Sequence, residues 1–183
     1  WLIARANLVH YALLLRWHIA RRAFGNIFAL ALFVKLFPIA RFLHEHGGIY
    51  IDADSYCIKP LEDWLLDCEA FACWENEIIR NNLIANGYLG GVVNAPVYDS
   101  LIKQIATMDC TQQKLAWMIT GPLLLSETYF KERPNLTVYP SHFFIQDHHT
   151  GARTNVTGHY FGNQLWGSEI GYNNMDAVMK GKI

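Results

Sequence analysis

Hydrophobic and polar positions follow two periods along this 183-residue chain. From Leu2 to Ala23, leucine and alanine dominate without a proline or glycine, and Arg5, Arg16 and Arg21 are spread among them. That pattern predicts a helix, broken at Gly25-Asn26. A second helical run extends from Ile27 to about Phe37, where Pro38 ends or kinks it, because proline lacks the donor that an inner turn needs. A short helix resumes over Ile39–Glu45 and stops at Gly47-Gly48. Ile49-Tyr50-Ile51 is apolar at every position, so it predicts a short strand buried on both faces, as in the middle of a parallel sheet.

Further on, Lys59-Pro60-Leu61 marks a turn, Phe71–Trp74 a strand, and Glu75–Ala85 a polar, mixed stretch. Asn86–Val93 is a glycine-rich, strand-like piece. Pro96–Met108 predicts an amphipathic helix with Val97, Leu101, Ile105 and Met108 on one face. Thr120-Gly121-Pro122 is a turn that opens another helix toward Phe130. Leu136–Pro140 and Phe143-Phe144 are extended, and the Gly- and Asn-rich tail from Thr150 to Ile183 is irregular. The alternation of strands and helices predicts one α/β domain over residues 1–183, helical up to about residue 46, with a mixed, mostly parallel sheet flanked by helices.

Composition narrows this picture. At 52% hydrophobic and 17% charged residues the chain is expected to fold, and a net charge of −1 leaves no basic stripe for nucleic acid. Aromatics at 14% read first as core filling and second as a stacking cleft. The most apolar run, Ala23–Val34, is shorter than the ~20 residues a membrane span needs, so a membrane would be met only through a segment outside this chain. Cys57, Cys68, Cys73 and Cys110 have no zinc-knuckle spacing. The chain opens on Trp1 rather than Met, which reads as a fragment or a trimmed product.

The chemistry concentrates in one stretch, HEHGGIYIDADSYC, His44 to Cys57. Asp52 and Asp54 stand two residues apart at the end of a strand, so they point the same way. Like charges so placed raise each other's energy unless a cation or water lies between them. Two hard oxygen donors suit Mg²⁺ or Mn²⁺, ions usually shared with substrate phosphates. An EF-hand loop is excluded, since Tyr56 and Cys57 fill its fifth and sixth positions. A zincin is excluded because Gly48 stands where the second His would be. A phosphohydrolase with Asp52 as nucleophile is an alternative that the strand-end Asp-x-Asp leaves open.

GGIYIDAD resembles the sugar-binding signature of DxD glycosyltransferases of the yeast initiating mannosyltransferase type, to which the clostridial glucosylating toxins are related. Four further segments are similar in order: Ile58-Lys59-Pro60-Leu61, Asn86-Gly87-Tyr88-Leu89, Thr120-Gly121-Pro122, and Val138-Tyr139-Pro140 with Phe143-Phe144. Gln164-Leu165-Trp166-Gly167-Ser168 is similar to the late block. The resemblance implies a GT-A fold, a UDP- or GDP-sugar donor, Mn²⁺ or Mg²⁺, retention at the anomeric carbon, and a glycan, lipid or protein acceptor. It implies Asp54, with Asp52, on the metal. It places Asp52, Tyr50, Gly48, Asn86, Gln164 and Trp166 at the donor, with Asp52, Asn86 and Arg41 in the catalytic set. Asn163 is an alternative to Gln164 for completing the metal–diphosphate site.

Two departures from the family pattern stand out. Such proteins carry an Asp-x-x-Arg pair on the helix before the glycines; here Pro38 falls where the Asp would stand, and Arg41 is the nearest Arg. The family's opening strand is not visible before Trp1. A non-catalytic remnant of the fold is therefore the third reading. Sequons at Asn135 and Asn155 point to the Golgi lumen if the source is eukaryotic, otherwise to the cytoplasm.

Overall fold

The computed structural model describes residues 35–108, 118, 120–154 and 156–167. The helix expected over Leu2–Ala23, the start of the one from Ile27, and the sequon at Asn155 lie outside those residues.

Helix α1 (Leu36–His46) opens the described chain. Pro38 does not interrupt it: it sits in the first turn, where backbone N–H groups have no partner inside the helix, so no bond is lost. Leu36, Ile39, Ala40 and Leu43 recur at helical spacing and face the core. The helix stops at Gly47, whose N–H bonds the Leu43 carbonyl at 2.8 Å. Gly47 has φ +63°, and a Cβ there would lie 3.0 Å from both the Gly91 oxygen and the Val93 nitrogen. Gly48 follows at φ +102°. The double glycine is the price of a left-handed reversal directly into a strand.

That strand, β1 (Gly48–Ile51), pairs antiparallel with β4 (Arg80–Gly91), which pairs antiparallel with β3 (Ala70–Asn76). The outer strand β5 (Thr137–Tyr139) runs parallel to β3. The order is β1–β4–β3–β5. The sheet is mixed, as expected, but mostly antiparallel rather than mostly parallel among the described residues. The expectation of a central strand over Ile49–Ile51 is also corrected. Among the described residues β1 is an edge strand, and Ile51 is exposed. An all-apolar run of three residues carries no period, so it cannot separate an edge from a centre. The stretch taken as polar and mixed, up to Ala85, instead contains a turn after Asn76 and the first half of the twelve-residue β4. Asn81 and Asn82 disguised it, because asparagine is a poor strand former.

Side-chain alternation along β3 divides the interior. Ala70 and Ala72 face a core built with α1, α2 (Pro96–Ala106) and α3 (Pro122–Glu132). Phe71 and Cys73 face a second, aromatic core with Tyr88, Phe143, Phe144 and Phe161. Helices therefore cover one face, and loops cover the other. Those loops carry a short 3-10 turn over Ser141–Phe143, where an extended segment was expected. They also carry the antiparallel pair of β2 (Ser55–Cys57) with β6 (Gly162–Gln164), the latter a strand within the tail read as irregular. No helix among the described residues is long and apolar enough to cross a membrane.

Candidate functional site

A bulge in β4 makes room for the site. Between the pairs Phe71↔Gly90 and Cys73↔Ala85, β3 advances two residues while β4 advances five. The surplus falls on Asn86–Leu89, which leave β3; of these Leu89 and Tyr88 pair with Tyr50 and Ile51 of β1. Bulges of this kind re-aim side chains. Here they open a cavity of about 560 Å³ on the loop-covered side, lined among others by Asp52, Asp54, Asn86, Tyr88, Gln164 and Trp166. That volume falls in the range of small-molecule sites, roughly 300–1,000 Å³.

Asp52 follows directly on β1, and its backbone N–H bonds the Gly87 carbonyl at 2.9 Å. Its carboxylate is engaged by Tyr50 Oη at 2.7 Å and by Lys35 Nζ at 2.6 Å. Burial, then the Asp52 charge, drives the Tyr50 phenol far above its ordinary value, so it remains a donor. Gly87 is required for this placement, since a Cβ there would lie 2.9 Å from Asp52 Oδ2.

Asp54 is held from the other end of the chain. Gln164 Nε2 donates to Oδ1 at 2.6 Å and the Gly167 backbone N–H to Oδ2 at 2.9 Å. The Leu165 N–H bonds the Asp54 carbonyl at 2.8 Å. The Gln164 amide is locked in one orientation, because its Oε1 accepts from Ser55 Oγ at 2.7 Å. The pairing of β2 with β6 brings these groups together.

Asn86 is 8% exposed and lines the cavity, yet its side chain hydrogen-bonds no protein group among the described residues. The Tyr88 hydroxyl is buried and makes no hydrogen bond of good geometry, with Ser55 beside it, and burial pushes its pKa far up. A buried polar group without a good partner is costly, so the Tyr88 hydroxyl, with the Asn86 amide open to the same cavity, points to a ligand there.

The structure thus brings Asp52, Asp54, Asn86, Gln164 and Trp166 to one cavity. Tyr50 reaches it only through Asp52. Gly48 pairs with Gly91 at the start of β1, away from the cavity lining. Arg41 lies apart from this cavity: it is exposed on α1, bonds Glu45 at 2.7 Å, and is not among the lining residues. Its spacing on α1 turns it toward solvent, and the cation beside Asp52 comes from Lys35 instead. Asn163 is buried and serves the fold, accepting from the Gln146 and Asp147 N–H groups and donating to Asp147. Sequence reasoning missed Lys35, Glu75, Arg80 and His149, all of which line the cavity. The inward alternation Phe71, Cys73 carries on to Glu75 and was the available signal.

The carboxylates suit a divalent ion. Both face the cavity, and a cation, the Lys35 ammonium, already sits on Asp52. Among the described residues no group of three or more His, Cys, Asp or Glu side chains is placed to hold a metal ion by itself. Two carboxylates with room for phosphate oxygens match how Mg²⁺-like ions are held.

Comparison with known proteins adds one likeness. Over 63 residues, 34% of this chain, the sequence is 36% identical to an uncharacterized glycosyltransferase of Acanthamoeba polyphaga mimivirus. The match spans a quarter of that protein's length. No family model matches the chain, and no solved structure matches it. Over a third of its length, then, the chain resembles a glycosyltransferase, and its fold is mixed α/β with a mixed sheet flanked by helices.

Proposed function

We propose that this chain carries the donor site of a metal-dependent, retaining glycosyltransferase of GT-A type. The observation that carries the reading is the convergence of Asp52 and Asp54 on one cavity that also holds the unpaired Asn86 amide. The donor is a UDP- or GDP-sugar, and the acceptor a hydroxyl of a glycan, lipid or protein. Asp54, fixed by Gln164 and the Gly167 N–H, holds Mn²⁺ or Mg²⁺ with Asp52 beside it. The metal supplies neutralisation of the charge that grows on the departing nucleoside diphosphate. Asn86 offers its amide to the donor. Tyr50 keeps Asp52 aimed by donating to Oδ1. Lys35, on a long and half-exposed stem, is free to move from Asp52 to a phosphate oxygen. Trp166 walls the cavity, its indole N–H bonded to the Asp147 carbonyl at 2.7 Å.

A thermal-shift panel of UDP- and GDP-sugars with and without Mn²⁺ tests this. One donor raises the melting temperature only with metal, and Asp54→Ala removes that rise. Equal shifts in wild type and variant contradict the assignment. Transient phosphorylation of Asp52, with no response to any nucleotide sugar, would instead establish the phosphohydrolase.

A further inference from the structure

The cavity has a second wall, of which the donor reading uses only Trp166. β4 lines it from Tyr88 and Gly87, beside Asp52, to Leu83, and Arg80 lies beyond. From Gly87 to Leu83 is about 13 Å at the rise of a strand. At that far end Glu75, from β3, is only 9% exposed. His148 Nε2 lies 3.3 Å from Glu75 Oε1, and Arg80 Nε 3.6 Å from the same oxygen. No protein group among the described residues hydrogen-bonds Oε2, although Glu75 lines the cavity. That oxygen opens on the cavity, where a ligand hydroxyl can donate to it.

The neighbours of Glu75 are equally specific. His148 is 3% exposed, and its ring lies 4.2 Å from that of His149, which lines the cavity. Trp166 stands against both rings, each at 4.9 Å. Trp166 has φ +55°, a left-handed backbone that a bulky side chain rarely adopts. Such strain, of order 1–3 kcal/mol, persists where the surroundings impose it and clusters at ligand sites. Because the indole N–H is taken by the Asp147 carbonyl, Trp166 has only ring surface left to offer.

We infer that this wall, Glu75 with Arg80, His149 and Trp166, is the acceptor subsite, and that the acceptor is a pyranose rather than a lipid or a protein side chain. A pyranose presents adjacent hydroxyls, which a carboxylate and neighbouring N–H donors read together. It also presents a C–H face, which packs on an aromatic ring. A lipid chain would meet buried charge here, at high desolvation cost. His148 positions Glu75, and Glu75 Oε2 takes a hydroxyl hydrogen bond. The inference rests on the donor reading above, since it assigns the second substrate of that reaction.

Saturation-transfer NMR on the full chain tests it. The probes are methyl α-mannoside, methyl β-galactoside and methyl N-acetyl-β-glucosaminide, each added with Mn²⁺ and UDP or GDP, whose own signals report the donor end. The expected result is saturation transfer to one glycoside, reduced at least five-fold in Glu75→Gln, while nucleotide signals persist. His149→Ala, a milder change, reduces it about two-fold and serves if Glu75→Gln does not fold. Nucleotide binding without any glycoside, or glycoside transfer equal in wild type and the folded variants, overturns the acceptor subsite and leaves the donor reading standing. Loss of both in the wild type overturns the two together.

Discussion

Asp52 and Asp54 stand two residues apart in the turn between β1 and β2, yet they are held in opposite ways. Asp52 is gripped from its N-terminal side by a phenol and an ammonium, Tyr50 and Lys35. Asp54 is gripped from more than a hundred residues downstream by neutral amide donors, Gln164 Nε2 and the Gly167 N–H. The Lys35 side chain is 50% exposed and can swing off its partner. The Gly167 donor is backbone, and Gln164 is pinned by Ser55. One carboxylate therefore has an exchangeable counter-charge, and the other a fixed orientation without one. In the proposed site an incoming cation would displace Lys35 from Asp52 while Asp54 stays in place.

Changes to either grip break that asymmetry, with different sizes. Gln164→Ala releases Asp54, and groups that orient metal ligands are typically worth 10–100-fold in metal affinity. Calorimetric titration with Mn²⁺ is expected to show a loss of that order. Gly87→Ala acts on Asp52 alone by driving a methyl group against Oδ2. About a ten-fold loss of Mn²⁺ affinity is expected, with a denaturant midpoint close to wild type, because the clash is with the end of a side chain. A collapse of stability in this variant would show that Gly87 matters to the backbone instead. Lys35→Ala has the opposite sign. Exposed ion pairs are worth about 0–1 kcal/mol, so removing the competitor tightens Mn²⁺ by up to about five-fold in the absence of nucleotide.

The smallest effect falls on the opposite wall. Burial holds the His148 pKa below its ordinary 6.5, against the pull of Glu75. A histidine whose folded pKa is depressed binds its proton more readily when unfolded, so stability falls as pH drops through and below 6.5. A melting temperature that declines from pH 7 to 5.5, with a shallower slope in His148→Gln, is the expected outcome.

Part of this was legible in the sequence. The glycines before β1, the helix from Pro96 and the turn at Thr120-Gly121-Pro122 are set by local backbone rules, and they lie where those rules put them. Asp52, Asp54, Asn86, Gln164 and Trp166 share a cavity because the motifs that flagged them are spaced by the fold itself. Other features were illegible because pairing across long separations decides them. Three apolar residues do not say whether β1 lies at an edge. The Asn-rich start of β4 hides a strand that tertiary contacts impose. Glu75 reads as a surface residue until the sheet turns it inward, and Lys35 is tied to Asp52 only once α1 has packed.

The central claim is that Asp52 and Asp54 take one divalent ion together with a nucleoside diphosphate. Electron paramagnetic resonance of Mn²⁺ measures this directly, because the sharp signal of the hydrated ion is lost on binding. One equivalent is expected to bind to wild type with UDP or GDP, and Asp54→Asn is expected to weaken that binding at least a hundred-fold beyond what nucleotide alone binds. An undiminished hydrated-ion signal with wild type, or equal binding in the variant, would contradict the account.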